Sequence, residues 1–363
     1  MDHAELARVF QASGPFLSLY LDTEGDVERA AERVAVRWKT VRGQLAEQAV
    51  GEPVLEEVDA LVDGAHTAGA TLAVVAAVDG VVYARSLPEP PPRDALFRVG
   101  PLPWVLPLAA WAQRLLPHVA VLTDRTGADL AARLADGAET EHVEGEVTPH
   151  LHRSAPGGWS QPRYQHRAEV KWEANAAEVA EALTRLVDRV RPRLVAAAGD
   201  VRALQLLQEH LPKRVGELLE VVGGEFRSLD EVFARAADLV AATAERDTAA
   251  VLGRFAEERG QRDRAAEGAA ATLEALARAQ VDTLLLVDDP ADERTAWFAE
   301  APTQVAADPE ALAAMGAALP AQARPADVAV RAALQTGAAL RVLEPGRADA
   351  PAEGLGAILR FRA

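Results

Sequence analysis

The sequence predicts a mixed α/β protein, because strand patterns and helical patterns alternate along the chain. The stretch FLSLYLD (16–22) is largely apolar, as expected for a buried strand. TLAVVAAVDGVVYARSL (71–87) predicts a β-hairpin, since Asp79-Gly80 suits a tight turn between two apolar runs. Between them, apolar residues at helical spacing predict an amphipathic helix; these residues are Ala30, Val34, Trp38, Val41 and Leu45.

The middle of the chain continues this alternation. HVAVLTDRTGADLAARLADG (118–137) predicts two strands joined by a turn at Asp124 and Gly127. RLVAAAGD (193–200) predicts a buried strand, and VRALQLLQEHLP (201–212) predicts a helix. The strand is preceded by a long helix, predicted from the spacing of Trp172, Ala176, Val179, Leu183, Leu186 and Val190.

The last third of the chain predicts another small sheet with helices packed on it. Helical stretches over 247–261 and 265–280 precede the strand VDTLLLVDD (281–289). DVAVRAALQTGAALRVLE (327–344) predicts a helix, a glycine cap and a strand, and GLGAILRF (354–361) predicts a final strand. These patterns divide the chain into three predicted domains, over residues 1–117, 118–244 and 245–363.

Composition narrows the classes of function. Charged residues make up 26% and hydrophobic residues 49% of 363 residues, as in an ordinary globular protein. Cysteine is absent, which excludes disulfides and thiolate metal sites. The net charge of −17 argues against a non-specific nucleic-acid binder. The first residues lack the pattern of a signal peptide and no apolar run is long enough to span a bilayer, so we expect a cytoplasmic protein without a membrane partner.

One segment departs from this acidic background. RSAPGGWSQPRYQHR, residues 153–167, has no helical or strand period and predicts a mobile loop, here called the glycine loop. Between positions 150 and 171 there are four basic residues and one acidic residue. Arginines beside glycines suit RNA phosphates, and an aromatic ring can stack on a base. The predicted RNA-binding residues are Arg153, Trp159, Arg163, Tyr164, His166, Arg167 and Lys171. The residues alone leave a plain flexible loop equally open.

Other chemistries fit this region less well. His150 and His152, with His142 or His166, could ligate a metal, but the spacing is common by chance and fixes no third ligand. Ser160 with His166 could form a hydrolase site, yet GGWSQ lacks the G-x-S-x-G elbow. Gly157-Gly158 alone is not a phosphate-binding motif. We therefore predict no metal and no cofactor.

The order of several segments resembles the archaeo-eukaryotic peptide-chain release factor and Pelota superfamily. These segments are the glycine loop, the long helix after it, LVAAAGD, TLEALARAQVDTLLLVDD, ALQTGAALRVLEPG and GLGAILRF. The resemblance covers residues 118–363 and is closest to a bacterial branch typified by mycobacterial release-factor-like proteins. Residues 1–117 resemble only that branch, through FLSLYLDT, and lack the Asn-Ile-Lys-Ser codon-reading tetrapeptide.

The resemblance implies a three-domain architecture: an α/β N-terminal domain, an RNase-H-like central domain, and an α/β C-terminal domain resembling ribosomal-protein-type RNA-binding folds. It also implies that Gly157, Gly158 and Gln161 match the loop that reaches the peptidyl-transferase centre, where a glutamine places water at the peptidyl-tRNA ester. Trp159 stands where the family's Gly-Gly-Gln tip has glutamine, whereas Gly158-Trp159-Ser160-Gln161 fits the looser Gly-x-x-Gln tip.

The expected function is therefore that of a factor that binds the ribosomal A site in ribosome rescue or hibernation under stress. Its implied partners are ribosomal RNA, peptidyl-tRNA and a translational GTPase. If it is an enzyme, it hydrolyses peptidyl-tRNA through Gln161; Pelota-like members keep the architecture without the catalytic tripeptide. The alternative is a ribosome-independent hydrolase or RNA-cleaving enzyme that uses Ser160, His166 and the neighbouring basic residues.

Overall fold

The computed structural model describes residues 3–24, 30–67, 69–91, 93–134, 137–144, 161–261 and 264–361. The chain forms two compact units: residues 1–111 together with 250–363, and residues 112–249. Each of the three predicted domain ranges contains a sheet of its own, and the predicted boundaries at 117 and 244 stay predictions. No helix within the described ranges is long and apolar enough to cross a membrane.

The first part of unit 1 is an antiparallel sheet of order β3-β2-β1-β4 covered by two helices. Its central strands β1 and β2 are buried along nearly their whole length, so they read as continuous apolar runs. The elements are α1 His3–Val9, β1 Phe16–Asp22, α2 Ala30–Glu47, α3 Glu52–Val62, β2 Thr71–Ala77, β3 Gly80–Leu87, β4 Ala95–Gly100 and α4 Leu106–Arg114.

The predicted face of α2 is confirmed. The five residues predicted from spacing, Ala30, Val34, Trp38, Val41 and Leu45, are the buried residues of this helix. They pack on the sheet with Val54, Leu55 and Val58 of α3. The hairpin of β2 and β3 is also confirmed; its turn is formed by Val78 and Asp79, and Gly80, at φ +128°, begins β3.

Unit 2 is built on a five-stranded sheet of order β7-β6-β5-β8-β9. Strands β5, β6 and β7 form an antiparallel meander, whereas β8 and β9 run parallel to β5, the strand order of RNase-H-like folds. The predicted class of this part of the chain is therefore confirmed. The elements are β5 His118–Thr123, β6 Gly127–Leu134, β7 Gly137–Glu144, α5 Gln161–Val190, β8 Leu194–Gly199, α6 Val201–His210, α7 Lys213–Gly216, β9 Leu219–Val221 and α8 Leu229–Gln261, whose residues from Ala250 onward belong to unit 1.

The rest of unit 1 is a four-stranded sheet of order β10-β16-β11-β15 and a small sheet of order β13-β12-β14. Parallel strands β11 and β15 are joined through α11, which ends at the predicted glycine cap, Gly337 at φ +72°. The elements are β10 Ala265–Glu267, α9 Ala269–Ala277, β11 Val281–Val287, β12 Ala296–Phe298, β13 Val305–Ala306, α10 Pro309–Ala314, β14 Ala321–Ala323, α11 Pro325–Gln335, β15 Ala339–Leu343 and β16 Leu355–Leu359.

Within unit 1, buried charged groups connect the N-terminal sheet to the C-terminal sheet. Trp104 Nε1 donates to both carboxylate oxygens of Asp288 at 3.1 Å. Arg324 donates to the buried carboxylate of Asp327 at 2.8 and 2.9 Å, and Arg98 reaches the same carboxylate at 3.4 Å. We call these five residues the arginine–carboxylate cluster. Burial alone would lower the pKa of Arg324, but its hydrogen bonds and its attraction to Asp327 raise that pKa above the ordinary value.

Two local predictions are wrong, and one strand was missed. Residues 265–267, predicted as helix, form strand β10, because their pairing with β16 extends the sheet and Gly268 at φ +85° separates them from α9. The acidic residues after Gly137 lie in strand β7, which was missed because its charged side chains hide the strand pattern of a sheet edge. The glycine loop does not extend to residue 167, because α5 begins at Gln161. Pro162 is compatible with this early start, since proline is tolerated in the first helical turn.

Candidate functional site

The candidate site lies at one end of the central sheet, where β7 ends and α5 begins. Thr123 of β5 pairs with Gly199 of β8, and Gly127 of β6 pairs with Glu144 of β7, so four strand ends meet there. Strand β7 ends here at Glu144, and the next described residue is Gln161, the first residue of α5.

Helix α5 is longer than the sheet that it covers. Its 30 residues span about 45 Å, whereas the six residues of β5 span about 20 Å. The buried part of α5 runs from Asn175 to Val187 and matches the strand length. Since Asn175 contacts the β5–β6 turn, the backbone of residues 161–174 continues roughly 20 Å beyond this end of the sheet. We call residues 161–174 the projecting turns.

Four residues fasten α5 to the sheet at the base of the projecting turns. The guanidinium of Arg125, in the β5–β6 turn, lies 4.5 Å from the ring centroid of Trp172 on α5. The backbone carbonyl of Arg125 accepts a hydrogen bond from Nδ2 of the buried Asn175 at 3.0 Å. The same guanidinium forms an ion pair with Asp200, in which Nε and Nη2 each lie 3.2 Å from a carboxylate oxygen.

Asp200 connects helix α6 to this site. Its carboxylate caps α6 by accepting from the backbone N–H groups of Arg202 and Ala203. Partial burial would raise the pKa of Asp200, but the hydrogen bonds from Arg125, Ala203 and Arg202 outweigh it and hold that pKa below its usual value. Asp200 is therefore ionised near neutral pH and available to Arg125.

The residue before Asp200 must be glycine. Gly199 has φ +131°, and a Cβ atom built there would lie 1.8 Å from the carbonyl oxygen of Thr123. Only glycine allows β8 to turn into α6 this close to β5. The ion pair of Arg125 with Asp200 therefore depends on a backbone approach that Gly199 permits.

A cleft of about 580 Å³ opens at this same end of the sheet. Two of its carboxylates have partners: Asp124 accepts from the backbone of Thr126 and Gly127, and Asp129 lies 2.5 Å from Nδ1 of His142. Among the residues that the structure describes, no three histidine or acidic side chains are arranged to hold a metal ion. Asp124 thus stabilises the β5–β6 turn, and Asp129 connects β6 to β7.

The predicted site residues fall into two groups. Arg153, Gly157, Gly158, Trp159 and Ser160, with His150 and His152, lie outside the described residues. The others lie in the projecting turns, where the structure gives the helical backbone; they are Gln161, Arg163, Tyr164, His166, Arg167 and the partly buried Lys171. The roles predicted for both groups stay predictions.

Sequence reasoning missed the fastening residues Arg125, Asn175 and Asp200. Two signals were present, since TDRTG and GD place polar residues directly after two apolar strands. Side chains at the carboxyl ends of neighbouring parallel strands meet at one edge of a sheet. The pairing of β5 with β8, which brings these two signals together, is visible only in the structure.

The fold and this site define a release-factor-like class of protein, with an RNase-H-like unit and a projecting helix preceded by a glycine-containing segment. The model of bacterial archaeo-eukaryotic release factor family 2 matches residues 117–261. The uncharacterized protein Rv2629 of Mycobacterium tuberculosis (strain ATCC 25618 / H37Rv) is 31% identical, over 97% of this chain and 95% of that protein. The chain therefore belongs to the bacterial archaeo-eukaryotic release factor family.

Solved structures are less similar to this chain than the mycobacterial protein is. The archaeal translation termination factor aRF1 is 18% identical, with 99% of each chain covered and a TM-score of 0.27. Saccharomyces cerevisiae Dom34, a translation termination-like factor, is 12% identical over 81% of this chain and 74% of that chain, with a TM-score of 0.42. The family assignment depends on the sequence relatives.

Proposed function

We propose that this protein is a cytoplasmic translation factor that binds the ribosomal A site and acts in ribosome rescue or hibernation under stress. The observation that carries the proposal is that the family match covers the unit holding the glycine loop and the projecting turns. A translational GTPase is the proposed delivery partner. Its interaction would be with the central or C-terminal range of the chain.

The local charge supports this function. A chain with net charge −17 carries four basic residues and one acidic residue between positions 150 and 171. An RNA cavity attracts such a segment while the acidic remainder is repelled from non-specific RNA. The backbone of α5 carries Arg163 and Arg167 away from the sheet, toward whatever the glycine loop meets. This arrangement fits a factor that enters ribosomal RNA with one small part of its surface.

The chemistry of the glycine loop has two proposed outcomes. Gln161 offers an amide donor and acceptor that can position a water at the peptidyl-tRNA ester, with Gly157 and Gly158 permitting close approach to RNA. Trp159 instead suits stacking on a base, worth about 1–3 kcal/mol. Hydrolysis through Gln161 is the activity of a rescue factor. Stacking of Trp159 without hydrolysis is the mode of a hibernation factor.

Ribosomes carrying a labelled peptidyl-tRNA distinguish these outcomes. The wild-type protein is expected to pellet with them. If peptide is released, Gln161→Ala should abolish release and leave pelleting unchanged, because the amide acts on water rather than on affinity. Gln165→Ala, four positions further along α5, is the matched control and should release peptide like the wild type.

Other results would change the proposal. Pelleting without release by the wild type assigns a Pelota-like or hibernation role and removes the catalytic role of Gln161. Absence of pelleting contradicts A-site binding altogether. Hydrolysis of a small ester or of RNA without ribosomes, lost in Ser160→Ala, would favour the hydrolase alternative.

A further inference from the structure

Arg125 contacts three elements at the point where α5 leaves the sheet. It lies in the β5–β6 turn, stacks on Trp172 of α5 and pairs with Asp200, the cap of α6. Asn175 adds a hydrogen bond from α5 to the Arg125 backbone. A planar guanidinium can stack and bind a carboxylate through two N–H groups at the same time. One side chain therefore joins α5 to both neighbouring parts of the sheet.

At this position, Arg125 can determine the direction in which the projecting turns extend from the sheet. Trp172 and Asn175 are contacts at the base of the projecting turns. From Trp172 back to Gln161 the helix spans about 16 Å, so a tilt of roughly 10° at the base moves Gln161 by about 3 Å. Misplacement of reacting groups by about 1 Å can lower the rate of a catalysed reaction by a factor of 100. A small change of helix angle after loss of the Arg125 contacts would therefore displace Gln161 by several ångströms.

We infer that Arg125 is a positioning residue that sets the direction of the projecting turns and thereby the affinity for the ribosome. The inference rests on the proposed function. Arg125 acts through Trp172 and Asp200, and it is not assigned any contact with RNA.

Strand β6, which follows the turn of Arg125, offers a matched control near its far end. Arg133, near the end of β6, has a side chain 47% exposed, as has Arg125. Its guanidinium lies 4.1 Å from the ring centroid of Phe233 and pairs with Asp230 at 3.2 Å. Arg133 thus makes the same two kinds of contact, but both with α8 instead of with α5 and the cap of α6. Removing either arginine should lower the melting temperature to a similar extent.

The test compares Arg125→Ala, Arg125→Lys and Arg133→Ala in the full chain. We expect Arg125→Ala to weaken ribosome binding at least tenfold, and Arg133→Ala to stay within twofold of the wild type. Arg125→Lys should not restore binding, because an ammonium cannot stack and pair bidentately. Equal affinities of Arg125→Ala and Arg133→Ala would overturn the inference.

Hydrogen exchange without ribosomes separates failure of the inference from failure of the proposed function. A peptide covering residues 170–176 should exchange faster in Arg125→Ala and at the wild-type rate in Arg133→Ala. Unchanged exchange in both variants overturns the positioning role even if ribosomes bind. If the wild type does not pellet with ribosomes, the proposed function fails, and the part of the inference that concerns ribosome affinity fails with it. Faster exchange in Arg125→Ala would then show only that Arg125 holds α5 against the sheet.

Discussion

At the scale of single residues, Gly199 shows how a backbone position determines the geometry of the site. The carbonyl of Thr123 occupies the space where any side chain at position 199 would begin. The strand RLVAAAGD and its closing turn are predictable from the sequence. The contact is not, because Thr123 and Gly199 meet only through the pairing of two strands far apart in the chain.

Gly199→Ala should therefore destabilise unit 2 by about 2–4 kcal/mol, through left-handed backbone strain and overlap with Thr123. Urea unfolding followed by circular dichroism measures this loss. Gly223→Ala is the control, because a Cβ atom there meets nothing within 4 Å and the backbone is not left-handed. It should change stability by less than about 0.5 kcal/mol. Similar losses in the two variants would contradict the assigned role of Gly199.

At the scale of elements, α5 shows where sequence patterns predict well and where they stop. Ala176, Val179, Leu183 and Leu186 were predicted from spacing and are buried against the sheet. The start of the helix was missed because residues 161–171 carry no apolar period that would mark a helix.

The basic residues of the projecting turns should contribute directly to RNA affinity. Replacing Arg163 and Arg167 by glutamine should weaken ribosome binding and reduce the slope of log affinity against log salt by about 1–2, since each lost phosphate contact releases fewer counterions. Arg185→Gln with Arg189→Gln is the control, because these arginines of the same helix face Glu139 and Glu141 of β7. An unchanged slope for the first pair would argue against phosphate contacts there.

At the scale of the whole molecule, the two ends of the chain share one unit. Residues 1–111 and 250–363 cluster together, and the arginine–carboxylate cluster is buried between their sheets. Sequence patterns predicted both sheets but not their association, because Trp104, Asp288 and Arg324 carry no periodic signal. Charged residues this buried require partners supplied by distant parts of the chain.

Arg324→Ala should destabilise unit 1 by about 3–5 kcal/mol, because it leaves the carboxylates of Asp288 and Asp327 buried without their main cation. Hydrogen exchange should rise together in β1 and β11 and stay unchanged in β5. Arg278→Ala is the control, since its ion pair with Glu274 is exposed and worth at most about 0.5 kcal/mol. Faster exchange in β11 alone would show that the two sheets do not depend on each other.

The most direct test of the account is competition for the A site. Affinity is measured for ribosomes with a vacant A site and for ribosomes whose A site holds a tRNA. The account predicts tight binding to the vacant ribosome and a loss of at least tenfold when the site is filled. Equal affinity for both ribosomes would contradict A-site binding and assign the projecting turns to another partner.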